Sequence, residues 1–188
     1  MTVAGEGALM FGSSKKIDVQ KAQESIDFKT HRYQLEFVTS KGNITLDMWP
    51  ETAPHHVKNL LGLAKVGFYD NLTFHRIVPG FVIQGGCPEG TGTGGPGYHI
   101  DAEFSERQHE AGTLSMARAQ DPNSAGSQFF LCLEKVPFLD RQYTAFGQTA
   151  DAASLAVVLT IGKSKTGAGD RPVEDVVIKS ATVLAHPL

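Results

Sequence analysis

Apolar and polar positions alternate in two neighbouring runs, RYQLEFV (32–38) and NITLDMW (43–49), on either side of Ser40, Lys41 and Gly42. A period of two puts one face of a strand into a core, and a short polar gap with glycine between such runs predicts a hairpin. The period then lengthens. Val57, Leu60, Leu61 and Ala64 recur at i, i+3, i+4 and i+7, the stripe of an amphipathic helix. Thr52 is its candidate cap, Pro54 is tolerated in its first turn, and Gly67 ends it. Short β-rich runs follow at 72–78, 81–84, 112–117, 127–133 and 143–147, punctuated by turn residues. A second helix is predicted over 151–159, with Ala152, Leu155, Val158 and Leu159 on one side, and a closing strand over 173–184. Many short strands with two isolated helices predict a mainly β barrel or sandwich with helical lids. Residues 1–29 are polar and contain Gly and Ser. A mobile arm is the leading expectation there, ahead of one weak helix over 17–28. The domain proper then covers 30–188.

Bulk properties narrow the class. The chain has 188 residues, 41% hydrophobic and 20% charged, enough for one domain with a substantial core. A net charge of −3 with scattered Lys and Arg gives no footprint for nucleic acid or an anionic membrane surface. No apolar run reaches the ~18 residues of a membrane span. The opening residues have no basic segment before an apolar one and make a poor signal peptide, so a cytoplasmic location is expected. Two cysteines, Cys87 and Cys132, do not build a disulfide framework and read as reduced thiols.

Candidate chemistry begins with GTGTGG (90–95), which matches the G-x-G-x-x-G dinucleotide fingerprint. That fingerprint needs a helix behind it to hold the pyrophosphate, and PGYHIDAEF (96–104) has no helical period. A long loop is the better reading. Cys132 lies in an apolar strand pattern and reads as packed rather than nucleophilic. His55 and His56 are adjacent on a helix and cannot face one metal, and no paired ligand spacing appears. No metal or cofactor is expected. The unusual stretch is FHRIVPGFVIQGG (74–86), which sets an arginine inside an apolar strand. Alternation places Phe74, Arg76 and Val78 on one face and His75 and Ile77 on the other. On residue types alone, Arg76 is as readily a solvated or ion-paired surface charge, and His75 a hydrogen-bonded structural histidine.

FHRIVPGFVIQGG, GTGG (92–95), GTLSMARA (112–119), GSQFFLC (126–132) and FLDRQYTAFG (138–147) together resemble the cyclophilins, in that family's order and spacing. The similarity spans about residues 31–184. It implies a closed antiparallel barrel of eight strands capped by two helices, and catalysis of cis–trans isomerisation at peptide bonds preceding proline. By position, the resemblance makes Arg76 the catalytic arginine, with Gln84 orienting it. Phe81, Val82, Phe130 and Leu139 would form the proline pocket. Gly92, Ala117, Arg118, Ala119 and Gln128 would line the groove, and Phe138 and Tyr143 its rim. Arg118 replaces a usual asparagine, which would favour acidic or polar residues flanking the proline. Phe138 stands where many members have tryptophan, so only weak cyclosporin binding is expected. Proline-containing peptides and client proteins are the implied partners of a monomer. A proline-peptide binding module or holdase with incidental turnover is the alternative.

Overall fold

The computed structural model describes residues 13–188. Nine strands form one antiparallel sheet: β1 (His31–Thr39), β2 (Gly42–Met48), β3 (Leu72–Thr73), β4 (Arg76–Val78), β5 (Val82–Gly85), β6 (Thr113–Met116), β7 (Phe129–Cys132), β8 (Ala145–Thr149) and β9 (Val177–Pro187). Their spatial order is β3-β9-β1-β2-β8-β6-β7-β5-β4. Three α-helices accompany them, α1 (Ser13–Glu24), α2 (Pro54–Lys65) and α3 (Ala152–Gly162).

Eight strands in a closed barrel are thus corrected to nine in a curled sheet. The difference lies at 72–78. That run does not continue as one strand: it breaks at Phe74 and His75, with β3 pairing to β9 and β4 pairing to β5. These two residues carry the chain from one edge of the sheet to the other. The strict alternation expected here fails for the same reason, since Phe74 and Ile77 are both fully buried in the main core. Only Arg76 and Val78 share the outer face.

The β1–β2 hairpin turns through Ser40 and Lys41, with Thr39 opposite Gly42. On β1 the buried positions are Tyr33, Leu35, Phe37 and Thr39, and on β2 they are Ile44, Leu46 and Met48. Phe37 stacks on Phe129 at 5.2 Å, and Tyr69 and Phe74 meet Phe129 edge-on. This aromatic cluster lies at the centre of the core and contributes beyond its buried area.

α2 is entered at Ala53, which makes no side-chain cap bond, so Thr52 is not its cap. The cap comes from elsewhere in the chain. The Glu103 carboxylate accepts the N–H groups of His55 (3.1 Å) and His56 (2.9 Å), and its Oε2 lies 2.6 Å from His56 Nδ1. Negative charge at this end also suits the helix dipole. α3 is capped as a short-range signal would have it, with Asp151 accepting from the Ser154 N–H at 2.7 Å.

Within the polar N-terminal segment, Ser13–Glu24 form a helix; residues 1–12 lie outside the described residues. α1 packs on α2, burying Val19 and, just beyond its end, Ile26. Gly62 on α2 permits this approach, since a Cβ there would lie 2.7 Å from Gln23 Cγ and 3.3 Å from Val19. Among the described residues no helix is long and apolar enough to cross a membrane.

Candidate active site

Strand register builds the site. Arg76 pairs with Gln84, Gln84 with Phe130, and Phe130 with Ser115, one row across β4, β5, β7 and β6. Alternation sends Ile83, Phe129 and Leu131 into the main core. Val82, Phe130 and Cys132 point the other way and form a second apolar cluster with Val136 and Leu139. Phe81, Ala117 and Tyr143 pack against it. Arg76 and Gln84 stand beside that cluster, which gives one polar wall to an otherwise apolar pocket.

The pocket has a volume of ≈ 300 Å³. Phe81, Val82, Phe130 and Leu139 line it, with Ala117, Phe138 and Tyr143, and Arg76, Gln84 and Arg118 complete it. Leu139 and Phe138 arrive on a short 3-10 turn, Pro137–Leu139. Phe138 is 69% exposed and its ring lies 5.7 Å from that of Phe81, so it forms a lip rather than a wall. A second hollow of ≈ 640 Å³ adjoins the first and shares Gln84, Ala117 and Arg118 with it. Gly92, Ala119 and Gln128 line this one, beside Glu89, Tyr98 and His99. All thirteen residues singled out by resemblance therefore lie on two adjoining hollows.

The polar wall is a chain of hydrogen bonds. Arg76 Nη1 donates to Gln84 Oε1 at 3.4 Å, and Gln84 Nε2 donates to Gln128 Oε1 at 3.1 Å. Gln128 Nε2 donates in turn to the carbonyls of Gly92 (2.9 Å) and Gly94 (2.8 Å). On its other edge, Arg76 Nε pairs with Asp170 Oδ2 at 3.6 Å. Each fixed amide leaves its neighbour one orientation, so the row holds the guanidinium at the mouth of the pocket.

Residues 92–95 of GTGTGG wall the second hollow, and no helix directly follows the run. Its centre is Cys87, whose fully buried Sγ accepts from the N–H groups of Gly92 and Gly94, each at 3.3 Å. Burial pushes this thiol up, but the surrounding N–H groups of Gly94, Gly92, Thr91 and Glu89 outweigh it and hold the thiol below its ordinary range. Cys87 is thus the acceptor around which the loop closes. Cys132 has no such donors, and burial pushes it up to about 12. Gly86 starts the loop at φ +85, where a Cβ would meet Ser127 O at 2.4 Å, so only glycine fits.

Several residues here were not singled out in the sequence. His109 is fully buried, with Nδ1 2.9 Å from Asp140 Oδ1 and Nε2 2.9 Å from Ser115 Oγ. Its ring stacks on Phe130 at 6.2 Å, and Tyr143 meets Phe130 edge-on at 5.8 Å. Burial holds His109 below the usual histidine range despite Asp140. A neutral ring then donates from Nδ1 to Asp140, and the one Ser115 hydroxyl hydrogen serves either His109 Nε2 or the Thr144 carbonyl, 3.0 Å away. This group fixes the aromatic floor of the pocket. Asp140 is half-buried and lies beside Leu139 in the run FLDRQYTAFG, so its place next to a pocket residue was the available signal.

One further residue has contacts the sequence did not show, and another lacks the hydrogen bond its sequence reading gave it. Arg118 donates to the carbonyls of Ala119 (2.9 Å), Gln120 (3.2 Å) and Gln142 (2.7 Å), and lies over the Tyr143 ring at 4.4 Å. It braces the groove from within while lining both hollows. His75 is buried with no partner at Nδ1. Burial, then the charges of Arg171 and Arg76, hold it below the usual histidine range and keep it neutral.

An apolar pocket of this size takes a small ring, and a fixed cation beside it favours any atom there that gains electron density. The comparisons agree with that geometry. The family model described as cyclophilin type peptidyl-prolyl cis-trans isomerase/CLD matches residues 34–183. The chain belongs to this family. It is 55% identical over 123 residues to a peptidyl-prolyl cis-trans isomerase of Synechococcus elongatus, covering 65% of this chain and 84% of that protein. It is 49% identical over 129 residues to peptidyl-prolyl cis-trans isomerase B of Bacillus subtilis, covering 67% and 90%. Among solved structures, a Cryptosporidium parvum cyclophilin crystallised with the dipeptide Ala-Pro superposes with a TM-score of 0.76 at 32% identity, over 81% of this chain and 99% of that one.

Proposed function

We propose that this protein catalyses cis–trans isomerisation of X–Pro peptide bonds, with Arg76 as the group that stabilises the transition state. The observation that carries the reading is the Arg76 guanidinium set by Gln84 on the edge of an apolar pocket of ≈ 300 Å³.

The unaided reaction crosses a barrier of ~18–20 kcal/mol because rotation breaks amide resonance. At the top of the barrier the proline nitrogen is pyramidal and carries a localised lone pair. A donor aimed at that lone pair acts only when the bond is twisted, so it lowers the barrier without tightening ground-state binding. Arg76 meets this need because arginine stays protonated and moves no proton itself. Val82, Phe130 and Leu139 hold the proline ring while the preceding carbonyl turns. Excluding water from the pocket strengthens the arginine's field. The second hollow, with Ala119 and Gln128, takes the residues before the proline.

The substrates are exposed proline-containing segments of client proteins. The protein acts as a monomer, in the cytoplasm, and cyclosporin binds only weakly.

Exchange NMR on an Ala-Pro peptide tests the reading. The wild type is expected to bring cis and trans proline signals into fast exchange. Arg76→Ala is expected to slow that exchange by roughly 10²–10³, with peptide affinity nearly unchanged. Equal loss of affinity and rate would refute differential binding. Binding shifts without faster exchange, in the wild type, would establish the binding-module alternative.

A further inference from the structure

Arg76 is held on two edges, and only one of them belongs to the sheet. Its Nη1 meets Gln84, a strand neighbour, whereas its Nε faces Asp170 Oδ2 at 3.6 Å from a turn far along the chain. That turn is tightly made. Gly167 N–H donates to Arg171 O at 2.8 Å, Thr166 bridges to Pro172, and Val173 N–H donates to Lys165 O at 2.8 Å. Within it, Gly169 and Asp170 both adopt left-handed backbone, at φ 67 and φ 59. Left-handed geometry is unfavourable for a residue with a side chain, and it persists only where surrounding contacts impose it. Here it delivers a carboxylate to the arginine. The next residue, Arg171, donates from Nη1 to Gly90 O at 2.6 Å, which pins the turn to the GTGTGG loop.

We propose that Asp170 is a positioning residue for catalysis: it holds the Arg76 guanidinium by its Nε edge so that the remaining N–H groups face the proline nitrogen. The inference rests on the reading of Arg76 as the transition-state donor. A 3.6 Å pair with side chains 41% and 49% exposed contributes little to stability. Its effect is on aim. A guanidinium fixed at Nη1 alone can swing about that contact, and a donor displaced by about an ångström loses much of its catalytic effect. A carboxylate on the Nε edge stops the swing. It stands on the opposite edge from the Gln84 contact.

Three variants test this. Asp170→Gly removes the carboxylate and relaxes the left-handed backbone. Asp170→Asn keeps an oxygen acceptor and a residue that tolerates that backbone. Arg76→Ala removes the group being positioned. Isomerisation of the bound Ala-Pro peptide and its dissociation constant are measured by NMR, together with the ¹⁵N–¹H resonance of Arg76 Nε. The expected result is that Asp170→Gly lowers the bound-state rate on the order of tenfold, with the dissociation constant within twofold. Asp170→Asn is expected to recover part of the rate, and the Arg76 Nε resonance is expected to broaden in Asp170→Gly. In the Arg76→Ala background, Asp170→Gly is expected to cause no further loss. An unchanged rate and resonance in Asp170→Gly would overturn the proposal, as would an equal loss in the Arg76→Ala background. If Arg76→Ala itself keeps full activity, the catalytic reading of Arg76 falls first and takes this inference with it.

Discussion

Phe138 offers a ring and no polar atom at the lip of the pocket, with 69% of its surface in solvent. A tryptophan there would add an indole N–H in the same place. Phe138→Trp is therefore expected to tighten cyclosporin binding by roughly tenfold, the effect of about one hydrogen bond, while peptide isomerisation stays within a few-fold. Isothermal titration of both proteins decides it; equal affinities would remove the indole argument. At this scale the sequence showed Arg76 but not its purpose. An arginine in an apolar strand has ordinary explanations, and the strand row Arg76–Gln84–Phe130 becomes visible only once three strands are paired in register. The resemblance supplied the thirteen residues because motifs record local chain. Asp170 and His109 escaped because their partners lie elsewhere in the sequence, and nothing in GAGDRP or QHEAG marks them.

Among the elements, helices were legible where their signals were local. The stripe on α2 and the Asp151 cap of α3 are both short-range features. α1 had almost no stripe, because Val19 is its one buried apolar helix residue and its stability comes from lying on α2. The cap of α2 was read as Thr52, yet it is Glu103. Burial pushes the Glu103 carboxyl up, but bonds from His56 and the N–H groups of His55 and His56 outweigh it and hold the carboxyl below the usual range. Glu103→Gln keeps the shape and loses the charge, and is expected to destabilise the protein by about 1–2 kcal/mol in urea unfolding at neutral pH. The difference between variant and wild type is expected to shrink in acid, as the wild-type carboxyl takes up its proton. A difference that does not change with pH would mean the cap works by packing alone.

For the whole molecule, protons bind more weakly to the folded chain at several sites. Burial holds His75 and His109 below 6.5, the Lys29 N–H holds Asp27 below its usual value, and the Ser154 N–H does the same for Asp151. Glu103 and Asp140 are also lowered, each by bonds from a histidine that outweigh burial. In each case the unfolded chain holds more protons between the folded value and the ordinary one, so stability rises with pH across that window. The melting temperature is expected to fall as pH drops below 6.5 through the histidines, and again below about 4.5 through the carboxylates. At the alkaline end Cys132, Tyr69 and Tyr98 are all raised by burial, so stability is expected to decline above about 9, whereas the lowered Cys87 contributes a rise whose window closes at its ordinary value of 9.0. Melts across this range test both limbs, and a flat acid limb would contradict the assigned burial of the two histidines.

The longest ladder in the sheet joins β1 to β9, from His31 opposite Pro187 to Thr39 opposite Ile178. β9 also holds β3 at the sheet's edge. During synthesis, then, Leu35 and Phe37 sit on a strand whose second hydrogen-bonding edge has no partner until residues 177–187 have been made. Once residue 73 has been made, the nascent chain carries two open edges, on β1 and β3, where the folded protein has one strand between them. The order of translation therefore runs against the order of pairing, and a growing chain is most prone to associate with its neighbours before the eleven-residue strand Val177–Pro187 emerges.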